Sequence, residues 1–255
     1  MMIYFVSDIH LGAGGHNHAR RTEDAFCRWL DMVAKDAEKI YLLGDIFDFW
    51  FEYRRVVPQG FVRVLGRFAE LSQRGVEIVF YTGNHDMWCY DYLEWECGMR
   101  IVRRPQIEMV GGMKLHLAHG DNMNIKRQPM LQLMNATFRS RTARKLFSWL
   151  VHPDLALKFG KWWSGKSRKS HGGEEITPAS LNFLVDYAIE HRERHSDVDA
   201  YIFGHMHYPF ELRDDVTLMF LSDWSRDKAY YATLDDNQHL ELKTFDINET
   251  VSRLA

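Results

Sequence analysis

Four short apolar runs along this chain each lead to a motif that contains Asp, Asn or His. The runs and the residues that follow them are 3–6 before Asp8, 40–43 before Asp45, 76–81 before Asn84 and 200–203 before His205. Short apolar runs bounded by turn residues predict buried strands. Because helical spacing over residues 22–36 and 58–74 separates the first three runs, the pattern predicts a parallel sheet with crossover helices and polar motifs at the carboxyl ends of its strands.

The second half of the chain has a different pattern. Residues 107–110 and 113–118 flank Gly111-Gly112 and predict a hairpin, and three later runs predict antiparallel strands at 216–221, 229–234 and 240–245. Pro58 and Gly75 are start and stop signals for the helix between them. The whole pattern predicts a single α/β domain with mixed sheets, since 255 residues lie within the range of one layered domain.

Composition excludes several classes of protein. Hydrophobic residues make up 46% and charged residues 26%, as in soluble globular proteins, and no apolar run approaches the roughly 20 residues of a spanning helix. The net charge of −3 gives no general attraction to nucleic acid. The odd number of cysteines (Cys27, Cys89 and Cys97) and the absence of a signal-like N-terminus predict a cytoplasmic protein without disulfides or a thiolate zinc site.

Residues that commonly bind metals are concentrated in five short motifs. The motifs are Ser7-Asp8-Ile9-His10, Gly44-Asp45, Gly83-Asn84-His85-Asp86, His119-Gly120-Asp121 and Gly204-His205-Met206-His207. Each motif alone is typical of turns. Together they supply carboxylate, imidazole and amide donors, which suit borderline divalent cations. Two such cations about 3.5–4 Å apart activate water and neutralise the charge that develops during phosphate ester hydrolysis.

The order of these motifs resembles that of the calcineurin-like metallophosphoesterase superfamily. The resemblance implies a four-layer α/β/β/α sandwich of two mixed sheets with two metal ions at one edge. The ligands that it implies are Asp8, His10 and His207 for the first ion, Asn84, His119 and His205 for the second, and Asp45 as a bridge between them. The oxygen and nitrogen donors favour manganese, iron or zinc over a soft metal.

The resemblance also implies roles for residues beside the metal ligands. The superfamily histidine that corresponds to His85 contacts the phosphate and can protonate the leaving group. We therefore predict that His85 is catalytic and that Asp86 orients its ring. Asp48 and Asp121 are placed to hydrogen-bond the ligand imidazoles or a water at the metals.

Residues 126–170 form a basic and aromatic segment. They contain eleven Lys or Arg and one acidic residue, Asp154, among the aromatic side chains of Phe138, Phe147, Trp149, Phe159, Trp162 and Trp163. We predict a helical lid insertion over residues 126–175 that covers the metal edge. This composition suits an anionic amphiphile or a membrane surface. It also suits single-stranded nucleic acid, or a solvated face over a small satellite core.

Residues 44–50 and 162–168, with the overall length, resemble the UDP-2,3-diacylglucosamine diphosphatase family of lipid A biosynthesis. That family is typically manganese-dependent and releases UMP and 2,3-diacylglucosamine 1-phosphate. The resemblance implies sugar or phosphate contacts from Lys166, Ser167, Arg168 and Lys169, and acyl-chain contacts from Phe147, Trp149, Trp162 and Trp163. The basic aromatic segment would then be suited to contact the inner face of the cytoplasmic membrane, and no nucleic-acid partner is expected.

Two other functions stay open at this point. His85 stands where the best-known branch of that family has Arg, and it matches the general superfamily form. A phosphoesterase acting on a dinucleoside polyphosphate, a phosphodiester or a phosphoprotein would carry the same motifs. A scaffold that has lost its metals would share the fold, although the intact ligand motifs argue against it.

Overall fold

The structure, a computed structural model, describes residues 2–123, 129–172 and 181–248, with the side chains of 129, 131, 134, 161 and 166–172 outside the description. The strands are β1 (Met2–Val6), β2 (Ala37–Leu43), β3 (Glu77–Tyr81), β4 (Arg100–Val102), β5 (Gln106–Val110), β6 (Met113–Ala118), β7 (Ala200–Phe203), β8 (Phe210–Arg213), β9 (Thr217–Phe220), β10 (Lys228–Asp235) and β11 (Leu240–Asp246). The helices are α1 (His16–Val33), α2 (Val62–Gln73), α3 (Tyr92–Cys97), α4 (Pro129–Arg139), α5 (Arg141–Leu150), α6 (Pro153–Gly172) and α7 (Asn182–Arg192).

The strands form two mixed sheets. The first has the order β11-β10-β1-β2-β3-β4, in which β1 to β4 are parallel and β10 and β11 are antiparallel to their neighbours. The second has the order β5-β6-β7-β9-β8, with β6, β7 and β9 parallel. The predicted parallel core with crossover helices is therefore confirmed for the first sheet.

Alternation along the strands places side chains in separate apolar layers. In β1, Tyr4 and Val6 pack with Phe26 and Trp29 of α1, whereas Phe5 faces the core between the two sheets. Helix α7 covers the outer face of the second sheet, where its own apolar residues are buried. Each fully buried large apolar side chain contributes about 1.5–3 kcal/mol. These layers confirm the predicted α/β/β/α sandwich.

Two helices begin elsewhere than the sequence predicts. Helix α1 begins at His16, six residues before the predicted start at residue 22, because its polar first turn gives no apolar periodicity. Pro58 does not begin α2. The helix begins at Val62, after Phe61 in the left-handed conformation at φ 62°, and the ring of Phe61 packs against Phe47. Tertiary packing of this ring decides the start of the helix.

The structure confirms the turns predicted at Gly75 and at Gly111-Gly112. Gly75, with φ 90°, follows the end of α2, and Gly111 and Gly112, both with positive φ, connect β5 and β6 as an antiparallel hairpin. Strands β10 and β11 pair antiparallel as predicted. Strand β9 is antiparallel to β8, but its other neighbour, β7, runs parallel to it. The prediction for residues 216–221 was therefore correct for only one of the two pairings.

The cysteines are consistent with the prediction of a protein without disulfides. Cys27, Cys89 and Cys97 are buried free thiols. Burial raises the pKa of the Cys27 and Cys97 thiols to about 11, so both stay protonated at neutral pH. In the part of the chain that the structure describes, no helix is long and apolar enough to cross a membrane.

Candidate metal centre

The five sequence motifs converge at the carboxyl ends of strands from both sheets. Asp8 and His10 follow β1, Asp45 follows β2, Asn84 follows β3, His119 follows β6, and His205 and His207 follow β7. The two sheets meet here directly, since the Nδ1 atom of His119 lies 2.9 Å from the carbonyl oxygen of Leu43 in β2. All seven predicted ligand residues are thereby brought to one edge of the sandwich.

The first group consists of Asp8, His10 and His207. The Nε2 atoms of His10 and His207 lie 3.1 Å apart, and Nε2 of His207 lies 3.2 Å from Oδ1 of Asp8. One ligand atom from each residue lies within 4.8 Å of the other two. The sequence predicts the same three residues for the first ion.

The second group consists of Asp45, His119 and His205, whose ligand atoms also lie within 4.8 Å of one another. Asn84 joins it through its Oδ1 atom, 3.2 Å from Nε2 of His119. The Nδ1 atom of His119 is engaged by the carbonyl of Leu43, so Nε2 is directed at the group. These are the residues predicted for the second ion and the bridge.

Asp45 lies between the two groups. Its Oδ2 atom is 3.3 Å from Nε2 of His119 on one side and 3.9 Å from Nε2 of His10 on the other. Its Oδ1 atom accepts a hydrogen bond of 2.9 Å from the backbone N–H of His85. This hydrogen bond fixes the carboxylate with Oδ2 facing both groups, as a shared ligand requires.

Five of the seven predicted ligands have left-handed backbone conformations. Their φ angles are 54° for Asp8, 49° for His10, 54° for Asp45, 69° for His205 and 53° for His207. Residues other than glycine adopt this region rarely, at a cost of about 1–3 kcal/mol each, and such residues cluster at functional sites. Strain concentrated at these positions indicates that packing fixes the ligand directions before an ion binds.

Glycines let the motif segments approach one another closely. A Cβ atom would lie 2.5 Å from Nδ1 of His119 if built at Gly44, 2.2 Å from Oδ1 of Asp45 at Gly83, and 2.6 Å from Oδ2 of Asp8 at Gly204. Real Cβ contacts are essentially never so short. The glycine that precedes a ligand in each of these motifs is thus required by the ligand of another motif.

The carboxylates at the centre stay ionised although they are buried. Burial opposes the charge of Asp8, but the hydrogen bond and charge of His207 lower its pKa to about 2. Burial likewise opposes the charge of Asp45, and the imidazoles of His119 and His85 hold its pKa well below the ordinary value. Two negative charges in a buried pocket need nearby positive charge to stabilise them.

The four histidines of the two groups differ in the direction of their pKa shifts. Burial lowers the pKa of His10 well below its ordinary value and, with the charge of His119, lowers the pKa of His205 to about 4. Burial also opposes protonation of His119, but Asp45 raises its pKa well above the ordinary value, and Asp8 raises the pKa of His207 in the same way. Bound divalent cations would neutralise Asp8 and Asp45 in place of protonated His119 and His207. All four imidazoles could then be neutral donors, so the residues fit a dinuclear centre.

The surroundings of His85 correct one prediction. Its Nδ1 atom lies 2.8 Å from the backbone carbonyl of Asp48, which orients the ring. Asp86, which the sequence predicts in that role, instead accepts hydrogen bonds from the backbone N–H groups of Ile46, Phe47 and Gly83. Burial and the charge of Asp45 raise the pKa of Asp86 to about 7. Asp86 is therefore a link between two motif loops, because its carboxylate is used by backbone donors.

The described contacts of Asp121 are with residues other than the ligand imidazoles. Its Oδ2 atom accepts hydrogen bonds from Nη2 of Arg139 at 2.9 Å and from Nδ2 of Asn122 at 2.7 Å. Asn122 in turn accepts a hydrogen bond from Asn135 of α4. Within the described contacts, Asp121 thus ties α4 to the loop after β6 and bonds no ligand imidazole directly.

Helix α6 packs over the centre. Ser164 donates a hydrogen bond of 2.5 Å from Oγ to Oδ1 of Asp48, whose carboxylate lies 3.7 Å from Nδ1 of His10. A Cβ atom at Gly160 would lie 2.4 Å from the ring of Phe49. The absence of a side chain at Gly160 therefore lets α6 rest directly on the loop that follows Asp45.

The predicted substrate residues are not equivalent in the structure. Phe147 packs inward against Phe51, with ring centroids 5.3 Å apart, whereas the side chains of Trp149, Trp162 and Trp163 are 82%, 58% and 38% exposed. Three of the four predicted acyl contacts thus have accessible surface. The side chains of the other predicted contacts lie outside the described residues, and they are Lys166, Ser167, Arg168 and Lys169.

Two polar residues at the centre were given no role in the sequence analysis. Ser7 donates a hydrogen bond of 2.5 Å to Oδ2 of Asp8. Asp223 follows β9. Burial lowers the pKa of His207, whereas the negative charges of Asp8 and Asp223 both raise the pKa of His207. The apolar run 216–221 leads to Asp223 as other runs lead to the motifs, so the same strand-end rule would have found this residue.

An α/β/β/α sandwich whose strand ends bring carboxylate, imidazole and amide groups into two adjoining sets defines the class of dinuclear metal-dependent phosphoesterases. Residues 1–209 match the sequence profile of the calcineurin-like phosphoesterase family. The chain belongs to that family and is a metal-dependent hydrolase. The implied cofactors are divalent metal ions.

Named relatives and a solved structure agree with this family. The chain is 39% identical to the UDP-2,3-diacylglucosamine hydrolase of Porphyromonas gingivalis, over 89% of this chain and 92% of that protein. It is 29% identical to the protein of the same name from Histophilus somni, over 87% and 91%. A dimetal phosphatase from Danio rerio shares the fold with a TM-score of 0.53 and 12% identity, over 98% of this chain and 97% of the other.

Proposed function

We propose that this protein hydrolyses the diphosphate of UDP-2,3-diacylglucosamine, releasing UMP and 2,3-diacylglucosamine 1-phosphate for lipid A biosynthesis. The observation that carries the proposal is the packing of an aromatic and basic helical segment over the metal centre, with Ser164 bonded to Asp48 and α6 lying on Phe49. A substrate with a phosphorylated head and two acyl chains needs both kinds of surface next to the reacting phosphorus. The two relatives named above carry the same activity in their names.

The proposed ligands are those of the two groups, with Asp45 shared. The donors are oxygen and nitrogen atoms only, which suits manganese, iron or zinc. We assign two manganese ions, because the diphosphatase family that the sequence resembles is typically manganese-dependent. When bound, the ions supply an activated water and positive charge for the phosphoryl oxygens. The strained backbone at five of these residues holds the donors in place, which reduces the reorganisation needed on binding.

His85 is the proposed proton donor to the leaving group. A carbonyl oxygen only accepts, so the contact with Asp48 assigns a proton to Nδ1 of His85. Nε2 is then the atom that gains or releases a proton, and it lies 3.8 Å from Oδ2 of Asp45, beside the shared carboxylate. A protonated Nε2 would donate to the departing phosphate oxygen.

Residues 126–175 are the proposed lid within a single domain. In its described part, Phe159, Trp162 and Trp163 form an aromatic cluster with centroid separations of 5.9 to 6.5 Å. We assign this cluster to the acyl chains, and Lys166, Ser167, Arg168 and Lys169 to the sugar or phosphate. Exposed aromatic and basic side chains on one segment also suit peripheral contact with the cytoplasmic face of a membrane.

Replacing Trp162 or Trp163 by alanine is expected to raise KM for the acylated substrate about 10-fold, because each indole gives a large apolar contact. The expected change in KM for a soluble UDP-sugar is smaller. The measurement is initial UMP release across a range of substrate concentrations. Trp95→Ala is the matched control, since Trp95 is 83% exposed on α3, outside the lid. Equal losses on both substrates would rule out the acyl-binding role.

The direct test of the proposed function is UMP release from UDP-2,3-diacylglucosamine with manganese or with a chelator. A soluble UDP-sugar and bis(4-nitrophenyl) phosphate serve as comparison substrates. We expect manganese-dependent cleavage of the acylated substrate to exceed cleavage of the other two by at least about 100-fold. The metal ions act on the phosphoryl group of every substrate alike, so such a preference requires contacts with the acyl chains. Cleavage of the generic diester alone would leave the two-metal chemistry standing and discard the substrate.

A further inference from the structure

A wide groove lined by arginines lies beside the metal centre. Its volume is about 780 Å³, within the usual range for sites that bind small molecules. The arginines along it are Arg100, Arg103, Arg104, Arg139, Arg141 and Arg144, and none of its described lining residues is Asp or Glu. In a chain with a net charge of −3, such a concentration of positive charge is a local feature that points to an anionic ligand.

The groove adjoins the metal centre. A narrower cavity of about 20 Å³, lined by His119 and Asp121, shares Thr82, Arg104 and Arg139 with it, among other residues. Because His119 is a proposed ligand of the second ion, a molecule lying in the groove has one end beside the centre. The groove therefore extends from the proposed active site in one direction.

The arginines differ in what they contact. Arg100 pairs with Glu108, and Arg139 pairs with Asp121, so their charges are balanced within the fold. Within the described part of the chain, Arg104 and Arg141 have no acidic partner within 4.0 Å. These two guanidinium groups are available to an anion, and the planar group suits phosphate and carbonyl oxygens.

Arg144, another arginine of the groove, also has a donor available to a ligand. Arg144 stacks on the ring of Tyr90 at 3.4 Å, and its buried Nε atom has no hydrogen-bond partner among the described residues. The groove also has an aromatic wall of Trp88 and Phe138, whose rings pack edge to face with centroids 5.7 Å apart. Positive and aromatic groups in one groove match a molecule that has a phosphate and a flat polar ring.

The two halves of the proposed substrate differ in the surface they need. The diacylated half needs apolar surface, and the exposed side chains of Trp149, Trp162 and Trp163 do not line the groove. The nucleotide half carries phosphate, hydroxyl and carbonyl oxygens, which accept hydrogen bonds from guanidinium groups. The groove thus complements the nucleotide half and not the lipid half.

We infer that this groove binds the nucleotide half of the substrate, with Arg104 and Arg141 on its oxygen atoms and Trp88 and Phe138 beside its base. The inference rests on the proposed function, because it takes the ligand to be the uridine nucleotide that the reaction releases. It adds a site whose residues come from the loops around β4 and from α4 and α5, apart from the metal ligands.

The test is calorimetric binding of UMP to the chelator-treated full-length protein, which removes the contribution of the ions. The double variant Arg104→Gln with Arg141→Gln is expected to weaken UMP binding at least about 10-fold, since charge-assisted hydrogen bonds to phosphate are lost. Arg20→Gln is the control, because Arg20 is an exposed arginine of α1 paired with Glu23. Uridine and inorganic phosphate, tested separately, are each expected to bind more weakly than UMP.

Three outcomes overturn the inference: no UMP binding to the wild-type protein, unchanged UMP affinity in the double variant, or inorganic phosphate binding as tightly as UMP. Failure of this inference can be told apart from failure of the proposed function. If the double variant loses UMP affinity but the wild-type protein fails to cleave UDP-2,3-diacylglucosamine, the nucleotide site stands and the lipid assignment fails. If cleavage is observed and UMP affinity is unchanged, only the groove assignment fails.

Discussion

Replacing Asp45 by alanine is expected to lower turnover of UDP-2,3-diacylglucosamine by at least about 1,000-fold and to reduce the bound metal below two ions per chain. The physical reason is the position of Oδ2, 3.3 Å from Nε2 of His119 and 3.9 Å from Nε2 of His10, which no other carboxylate at the centre shares with both groups. The measurements are UMP release and metal content by mass spectrometry, with circular dichroism to confirm the fold.

Two further variants make this result interpretable. Asp45→Asn keeps an oxygen acceptor for the backbone N–H of His85 but removes the charge, so we expect it to lose activity to a similar extent. Asp215→Ala, an exposed carboxylate between β8 and β9, controls for the loss of any acidic residue. An Asp45→Ala protein that keeps two ions and activity within 10-fold of the wild type would contradict the bridging assignment.

His85→Ala is expected to lower turnover by about 100- to 1,000-fold while metal content stays at the wild-type value. The loss should be smaller for bis(4-nitrophenyl) phosphate than for diphenyl phosphate, because 4-nitrophenolate departs without a proton more readily than phenolate does. This dependence on the leaving group separates a proton donor from a residue that only positions its neighbours. The measurements are turnover on both substrates and metal content of each preparation.

His239→Ala, an exposed histidine between β10 and β11, is the matched control for this second variant. Loss of metal from His85→Ala would instead favour a ligand role, which the proximity of His85 to His10 and Asp48 makes a concrete alternative. Equal losses on both substrates with full metal content would indicate a positioning role. Each outcome therefore assigns His85 to one function.

Local properties of the chain are sufficient to predict the centre and the class of the fold. Ligand chemistry is fixed by residue type, and apolar runs place Asp8, Asp45 and Asn84 at the ends of parallel strands, which share one edge of a sheet. The two groups of residues that the structure brings together are those that the sequence predicts. The same strand-end rule reaches Asp223 when it is applied to the run at 216–221.

Other features depend on contacts between distant segments and have no local signal. The left-handed backbone at Asp8 and His205 reflects packing between β1 and β7, segments that lie 197 residues apart in sequence. The His85 ring contacts the backbone carbonyl of Asp48 and not the carboxylate of Asp86, and this choice depends on how the two loops pack. Neither can be derived from residue type or periodicity, because both follow from the relative placement of loops.

The sequence by itself predicted the described strands other than β4 and β8, the types of donor group at the centre and the presence of a basic aromatic segment between β6 and β7. Only the tertiary structure decided that Gly160 brings this segment onto Phe49, and that residues 100–104 and 139–144 enclose one groove beside His119. The reason is physical: strand patterning and ligand chemistry act within a few residues, whereas a groove is formed by packing segments that are far apart in the chain.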